Sequence, residues 1–246
     1  MPGENGGGYL RTIVPCLKSF AYVGIQKEVE MNHQLTRSFL VALLIGFTFL
    51  IVPSSSLALP RNHEPESTKE MALHDAMRKL WEDHIIWTRV FIISAAADLP
   101  DKASATDRLL QNQVDIGNAI KPYYGDAAGD KLTALLKEHI TTAAEIVTAA
   151  KAGDKAKQDD ATKRWLANAD QIADFLSNAN PKNWPQGEMR KMMRDHLSLT
   201  TEEVVARLQN NWAADIAAFD KVHDQILHMA DMLAAGIVKQ HSAKFK

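Results

Sequence analysis

Apolar positions in the last third of the chain recur at alternating steps of three and four residues. Val205, Leu208, Trp212, Ile216, Phe219, His223, Ile226, Ala230, Leu233 and Ile237 keep that spacing, which lines one face of a helix. The same steps join Leu73, Met77, Leu80, His84, Trp87 and Phe91, and further on Leu132, Leu136, His139, Ala143 and Ile146. No stretch alternates apolar and polar residues long enough to argue a strand, and Val90-Phe-Ile-Ile93 continues a helical period. No internal repeat stands out.

Punctuation between these segments predicts where the helices stop. Ser67-Thr-Lys-Glu70 has capping-box spacing, in which a hydroxyl and a carboxylate three residues on satisfy two orphan amides. The first helix then runs to about Asp98, where Leu99-Pro100-Asp101 breaks it. A second ends near Lys121, because Pro122 disfavours helical geometry in the residue before it. Tyr123-Tyr124-Gly125-Asp126 reads as a turn, and a third helix follows to about Ala152. Gly153 can take the left-handed conformation that stops a helix, and Asp154 can cap a fourth, which reaches about Ala179. After Asn180-Pro181-Lys-Asn-Trp184-Pro185, a short helix is expected from about Gly187 to His196. Thr200-Thr-Glu-Glu203 then reads as a second capping box, with Leu199 and Val204 as a hydrophobic staple, opening a last segment that reaches Gln240 and bends near Asn210-Asn211. Short connections between long helices imply antiparallel neighbours. The expected fold is all-α, an up-and-down bundle of four long helices plus a short extra one.

Three of the apolar seams carry a histidine, and each lies within a turn of its helix midpoint: His84, His139 and His223. The remaining helices place Asn112, Gln113 and Asn168 at the same height. A polar layer inside an apolar core must be internally satisfied, hydrated or occupied, since an unpartnered buried polar group costs about 1–3 kcal/mol. Three readings follow. The layer is a hydrogen-bonded network that fixes helix register; or three neutral imidazoles bind zinc or copper with one position open; or a small-ligand or catalytic pocket uses a histidine as general base. Asp220 and His223 stand three apart, but the Glu-x-x-His of di-iron bundles is absent. Met189, Met192, Met193 and His196, and separately His228, Met229 and Met232, have thioethers suited to Cu(I), although methionines at helical spacing are ordinary core filler. The chain has no Gly-rich phosphate loop, no Gly-x-Ser-x-Gly elbow and no His-Glu-x-x-His, so no catalytic residue is identified.

The N-terminal quarter says where the protein goes. From Met31 a short polar stretch with Arg37 precedes an apolar segment, residues 39 to 52, and then Pro53 and small residues ending at Ala58. That is the plan of a secretory signal, cleaved after Ala58. At 14 residues the apolar core is shorter than the roughly 20 of a spanning helix, and only an uncleaved signal would attach the protein to a membrane. Residues 1–30 read as a leader that results from a start site placed too far upstream, because Lys27-Glu28-Val29 can be encoded as AAGGAGGTG, a bacterial ribosome-binding sequence just ahead of the Met31 codon. Residues 59–67, with Pro60 and Pro65, form a tether, and 68–246 the helical domain.

Removal of residues 1–58 takes away Cys16, so the exported domain has no thiol for a disulfide or a thiolate metal site. It also removes Arg11, Lys18, Lys27 and Arg37 with Glu4, Glu28 and Glu30, leaving 24 basic against 27 acidic side chains. A near-even mixture without a basic run excludes a nucleic-acid binder.

The stretches "LHDAMRKLWEDHIIWTRVFI", "RLLQNQVDIGNAIKPYYG", "LTALLKEHI", "ANADQIADFLSNANPKNWP" and "ILHMADMLAAGI" resemble a family of small exported all-helical proteins of Gram-positive bacteria. Some of its members carry the label glycosyltransferase. A nucleotide-sugar transferase needs alternating strands and helices with an acidic pair after a strand, and this chain offers neither. The resemblance implies an extracytoplasmic domain and assigns no site residues. The functional expectation is therefore a cell-envelope binding module whose partner is a metal, a small ligand or an envelope protein, with an enzyme using the same pocket as the rival.

Overall fold

The computed structural model describes residues 67–246; the leader, the signal segment and the tether up to residue 66 lie outside the described residues. Among the described residues the chain is all-helical. Six helices follow in order: α1 Thr68–Ala96, α2 Lys102–Tyr124, α3 Asp126–Ala152, α4 Lys155–Ala179, α5 Gln186–Leu208 and α6 Trp212–Gln240, with a terminal 3-10 turn at Ser242–Lys244. None is long and apolar enough to cross a membrane.

Several ends are made as the sequence predicts. Ser67 and Glu70 close a reciprocal capping box on α1, with Glu70 N donating to Ser67 Oγ at 3.2 Å and Ser67 N to Glu70 Oε2 at 3.0 Å. Gly153 stops α3 in the left-handed region at φ 69°, and the Asp154 carboxylate accepts from Lys157 N to start α4.

Two boundaries differ. α2 continues through Pro122 to Tyr124, and Gly125 at φ 85° is the whole link to α3. A proline in the last turn removes a single intrahelical bond, a smaller loss than in a helix interior. The second difference lengthens the fifth helix: the short one expected to end at His196 runs on to Leu208, so the bundle has six helices of 23 to 29 residues in place of four long and one short. Thr200 caps nothing. Its hydroxyl donates to His196 O at 2.9 Å and that of Thr201 to Leu197 O at 2.7 Å, inside an unbroken helix. No glycine or proline interrupts residues 188–208, so the chain turns only afterwards, at Asn210 with φ 56° and Asn211, which caps Ala214 N.

Each helix packs on its neighbours in sequence, and α6 returns against α1 to close the circuit; α1 also touches α3 and α5. Contacts at the two ends show the alternation of direction. At one end Lys69 Nζ donates to Lys246 O, Tyr124 OH to Gln240 Oε1 and Gln240 Nε2 to Ala179 O. At the other, Lys151 Nζ donates to Ala95 O and Arg89 meets Glu203 and Asp215. Three helical hairpins, α1–α2, α3–α4 and α5–α6, therefore stand side by side around one axis.

The larger part of the core gathers Met77, Trp81, Ile116, Leu136, Ile172, Trp184, Ile226 and Ile237. A smaller cluster of Phe91, Ile92, Leu109, Ile140, Val147 and Val204 lies toward the α1–α2 loop. In α6 the buried face is Asp215, Ala218, Val222, Ile226, Met229, Ala230, Leu233 and Ile237. The seam expected through Trp212, Ile216, Phe219 and His223 is thus out of phase in the first half of α6. Trp212 is 52% and Ile216 55% exposed. The phase is set by Asp215, which is drawn inward by two arginines.

Candidate functional site

The layer at mid-height is built from one device used three times. In each hairpin a histidine on the first helix faces a side-chain amide on the second, 29 residues further on: His84 with Gln113, His139 with Asn168, and His196 with Gln225. In each, an amide nitrogen of the second helix also donates to the backbone carbonyl four residues before the histidine. Asn112 Nδ2 reaches Leu80 O at 3.0 Å, Asn168 Nδ2 reaches Leu135 O at 3.0 Å, and Gln225 Nε2 reaches Met192 O at 3.2 Å. The chain around each histidine repeats as well, an acidic residue before and an aliphatic one after: Asp83-His84-Ile85, Glu138-His139-Ile140 and Asp195-His196-Leu197. These three short blocks were the available sequence signal for an internal repeat.

His84, His139 and His196 are all buried, with the His84 and His196 ring centroids 5.8 Å apart and those of His139 and His196 6.3 Å apart. The amides fix the tautomers of His139 and His196. Asn168 Nδ2 is committed to a carbonyl, so its oxygen faces the ring and His139 Nδ1–H donates to Asn168 Oδ1 at 3.0 Å. By the same logic His196 Nδ1–H donates to Gln225 Oε1 at 3.1 Å. The first hairpin is different. Gln113 Nε2 donates to Leu109 O at 2.8 Å and to Asn112 Oδ1 at 3.1 Å, and it is this nitrogen that faces His84 Nδ1 at 3.3 Å. Both hydrogens of that nitrogen are committed to Leu109 O and Asn112 Oδ1, so the 3.3 Å contact does not set the His84 tautomer.

The result is a pair of lone pairs at Nε2 of His139 and His196, with no hydrogen bond from the described residues to Nε2 of any of the three rings. The indole N–H groups of Trp81 and Trp165 and the Gln113 Oε1 are also buried without a partner. Trp81 meets the His84 ring edge-on at 5.7 Å, and Trp165 lies 5.3 Å from His139. One turn beyond the histidines, Thr88, Ala143 and Thr200 line a cavity of about 40 Å³ together with Trp165 and Phe91. Its threonine hydroxyls at 88 and 200 are turned back to their own helix carbonyls, which leaves the walls apolar. A volume of this size holds about three water-sized groups.

Burial keeps the three imidazoles neutral. Desolvation, then repulsion from His196 and His139, sets His84 well below the ordinary imidazole value, with the Gln113 contact opposing. Desolvation and then His196 lower His139 to about 3, and desolvation lowers His196 to about 4. No carboxylate takes part in any of the three.

Of the residues singled out in the sequence, His84, His139, Asn112, Gln113 and Asn168 come together in this layer. His223 does not. It stands partly exposed at the α1–α6 surface, with Nε2 2.9 Å from Glu82 Oε1. Asp220 is exposed on the same side. His196 takes the third place, from a helix expected to end there. Among the described residues no group of three or more His, Cys, Asp or Glu side chains is placed to hold a metal ion. Met189, Met193 and Met229 are buried core, and Trp184 is buried with Nε1 donating to Met232 O at 3.4 Å.

A second polar cluster, which sequence reasoning missed, joins α1, α5 and α6. Arg89 Nη1 donates to Glu203 Oε1 at 2.7 Å and to Asp215 Oδ1 at 3.0 Å, and Arg207 Nη1 donates to Asp215 Oδ2 at 3.0 Å. Glu203 and Asp215 are each 1% exposed. Burial pushes the Glu203 carboxyl up to about 7 despite Arg89, with Asp215 adding to the rise. The Arg89 guanidinium lies 4.6 Å over the Phe219 ring. With two cations and two acids already matched, the cluster leaves no charge for a ligand. A wider surface groove of about 770 Å³ between α2, α3 and α4 contains Arg164, Glu145, Asp160, Lys157 and Asp154, and these charges also pair with one another.

No known protein family, curated protein or solved structure matches the chain.

Proposed function

We propose that the chain is an exported binding domain of the bacterial cell envelope, without catalytic activity, that holds one small polar ligand among His84, His139 and His196. The observation that carries this reading is the state of the three rings. Each is oriented by an amide of its partner helix, and each keeps an Nε2 without a protein partner inside the core. Most buried polar atoms in a fold are satisfied, whereas here two imidazole lone pairs, the Trp81 and Trp165 N–H groups and Gln113 Oε1 lie in one region without partners, which asks for a polar occupant that gives two hydrogen bonds to the rings. Export is supported by the signal-like segment at residues 31–58 and by the resemblance to small exported proteins. No carboxylate contributes to the state of the three imidazoles, so the layer offers no histidine–carboxylate pair.

A metal is the second reading, favoured by one detail: metal-bound histidines donate their other ring N–H to an oxygen, as His139 and His196 do. Coordination of zinc or copper would require the rings to turn toward one another.

Native mass spectrometry and metal analysis of the chain purified without a histidine tag test both readings. An added mass or stoichiometric zinc or copper, lost in His139→Ala and His196→Ala and kept in His223→Ala, supports occupancy and tells ligand from metal. A bare chain whose melting temperature responds to neither metal nor small polar probes ends the binding reading.

A further inference from the structure

The first two turns of α6 expose almost nothing but hydrocarbon. Trp212, Ala213, Ala214, Ile216 and Ala217 are all exposed, and the single charged residue among them, Asp215, is turned into the core. Asp220 and Lys221 end the stretch. The patch continues onto α1. Arg89 lies over Phe219 and Glu82 pairs with His223, so Ile86, 41% exposed and one turn from both Glu82 and Arg89, falls along the same seam. The Trp212 ring does not hang freely, since the Arg207 guanidinium sits 4.8 Å from its centroid on one side. A half-exposed tryptophan and isoleucine one turn apart, fixed in place and free of charge, form the kind of patch that marks an interaction site.

We infer that this face is the interface of a homodimer, in which α6 of one copy packs antiparallel on α6 of another across a twofold axis. The pattern of large and small residues is self-complementary. Trp212 and Ile216 form a ridge; Ala213 and Ala217, one position on, form the groove beside it. An antiparallel pairing that sets Trp212 of one copy into Ala217 of the other also sets Ile216 into Ala213, because both pairs share the same midpoint along the helix. A twofold interface needs this property, a single surface carrying both projection and recess. A charge-free centre with both signs only at its margin gives no handle for a strongly charged partner. In area, the exposed apolar groups offer on the order of 450 Å² per copy, so that a pair buries roughly 900 to 1,000 Å², the lower limit of a specific interface. The dimer is accordingly a weak one, with a dissociation constant on the order of micromolar. This inference is independent of the histidine layer.

Sedimentation equilibrium of the full-length chain up to about 100 micromolar tests it. The expected result is a monomer–dimer equilibrium that Ile216→Asp weakens by at least about 100-fold and that Leu166→Asp, a change at an exposed leucine on α4, leaves alone. Ile216→Lys and Ala213→Glu each abolish the dimer, and an equal mixture of the two restores it, since the cation introduced by Ile216→Lys in one copy then meets the anion introduced by Ala213→Glu in the other. Circular dichroism of the variants stays helical, because these side chains are exposed. A wild-type chain that stays monomeric, a dimer that survives Ile216→Asp through residues 1–66 or any other surface, or a mixture that does not associate overturns the proposal.

Discussion

Asn168 holds His139 twice over: its oxygen accepts from the imidazole Nδ1–H at 3.0 Å while its nitrogen donates to the carbonyl of Leu135, four residues earlier on the same helix as the ring. Replacement by leucine, nearly equal in size, leaves a buried N–H and a buried carbonyl lone pair without their partner. Each lost partner costs about 1–3 kcal/mol, so Asn168→Leu is expected to destabilise the domain by about 2–6 kcal/mol in urea unfolding. Nitrogen chemical shifts of the His139 ring supply the independent check, because without the amide the Nδ1–H tautomer loses its support.

Acid is expected to unfold the domain earlier than its carboxylates alone would dictate. An unfolded imidazole titrates near 6.5, whereas in the fold His139 lies at about 3, His196 at about 4 and His84 well below its ordinary value, all chiefly through burial. Between about pH 4 and 6.5 the unfolded chain therefore binds more protons than the folded one, and stability rises with pH. The contribution is complete above pH 6.5 and drains away as the pH falls. Glu203 works in the opposite sense: its carboxyl is raised to about 7, so its contribution falls as pH rises from 4.5 to 7. Three groups against one decide the sign, at about 1.4 kcal/mol per pH unit for each. Chemical denaturation at pH 5, 6 and 7 should show stability increasing along the series; a flat or falling series would contradict the buried layer.

Gly236 is where α6 lets the Trp184 loop close. A Cβ at this position would stand 2.0 Å from Trp184 Nε1 and 2.7 Å from Cε2, and Trp184 is 1% exposed. The same approach lets Asn180 Nδ2 donate to Gly236 O at 2.9 Å. A helix interior ordinarily gains about 0.5–1 kcal/mol when alanine replaces glycine. Here overpacking against a buried indole, about 1–3 kcal/mol or more, outweighs that gain. Gly236→Ala should lower the melting temperature and red-shift the Trp184 emission, while Gly187→Ala, with open space around it, does neither.

Most of the fold could be read from periodicity and caps because those signals are local: Ser67 with Glu70, Gly153 with Asp154, and the turn at Asn210-Asn211 all act within a few residues. Failures arose where a distant partner decided the outcome. Thr200-Thr-Glu-Glu203 has the letters of a capping box, but Glu203 is bound to Arg89 on another helix and the threonines bond within their own. In the first half of α6 the periodicity points one face out, because a buried aspartate and an exposed tryptophan reverse the usual preference. That phase places His223 in the layer and leaves out His196. His84, His139, Asn112, Gln113 and Asn168 were legible from their height alone, since helices of similar length joined by short links bring their midpoints together.

The cluster around Arg89 gives the last test, one that separates removal of a charge from removal of a pair. Arg89 serves two buried acids, Glu203 at 2.7 Å and Asp215 at 3.0 Å, and Asp215 alone has a second arginine in Arg207. Arg89→Met strands Glu203 in a place where burial already pushes its carboxyl up to about 7. Breaking a buried pair from one side costs about 3–5 kcal/mol, whereas replacing both partners by apolar groups of similar volume is often close to neutral. The double variant Arg89→Met/Glu203→Met should therefore be more stable than Arg89→Met alone, the reverse of additive behaviour. Glu203→Gln should be the mildest of the set, and it should steepen the rise of stability with pH between 4.5 and 7 by about one proton's worth, roughly 1.4 kcal/mol per unit. Urea midpoints for the four proteins at two pH values decide it. A double variant less stable than Arg89→Met would mean that the contacts of Glu203, rather than its charge, hold α5 to α1.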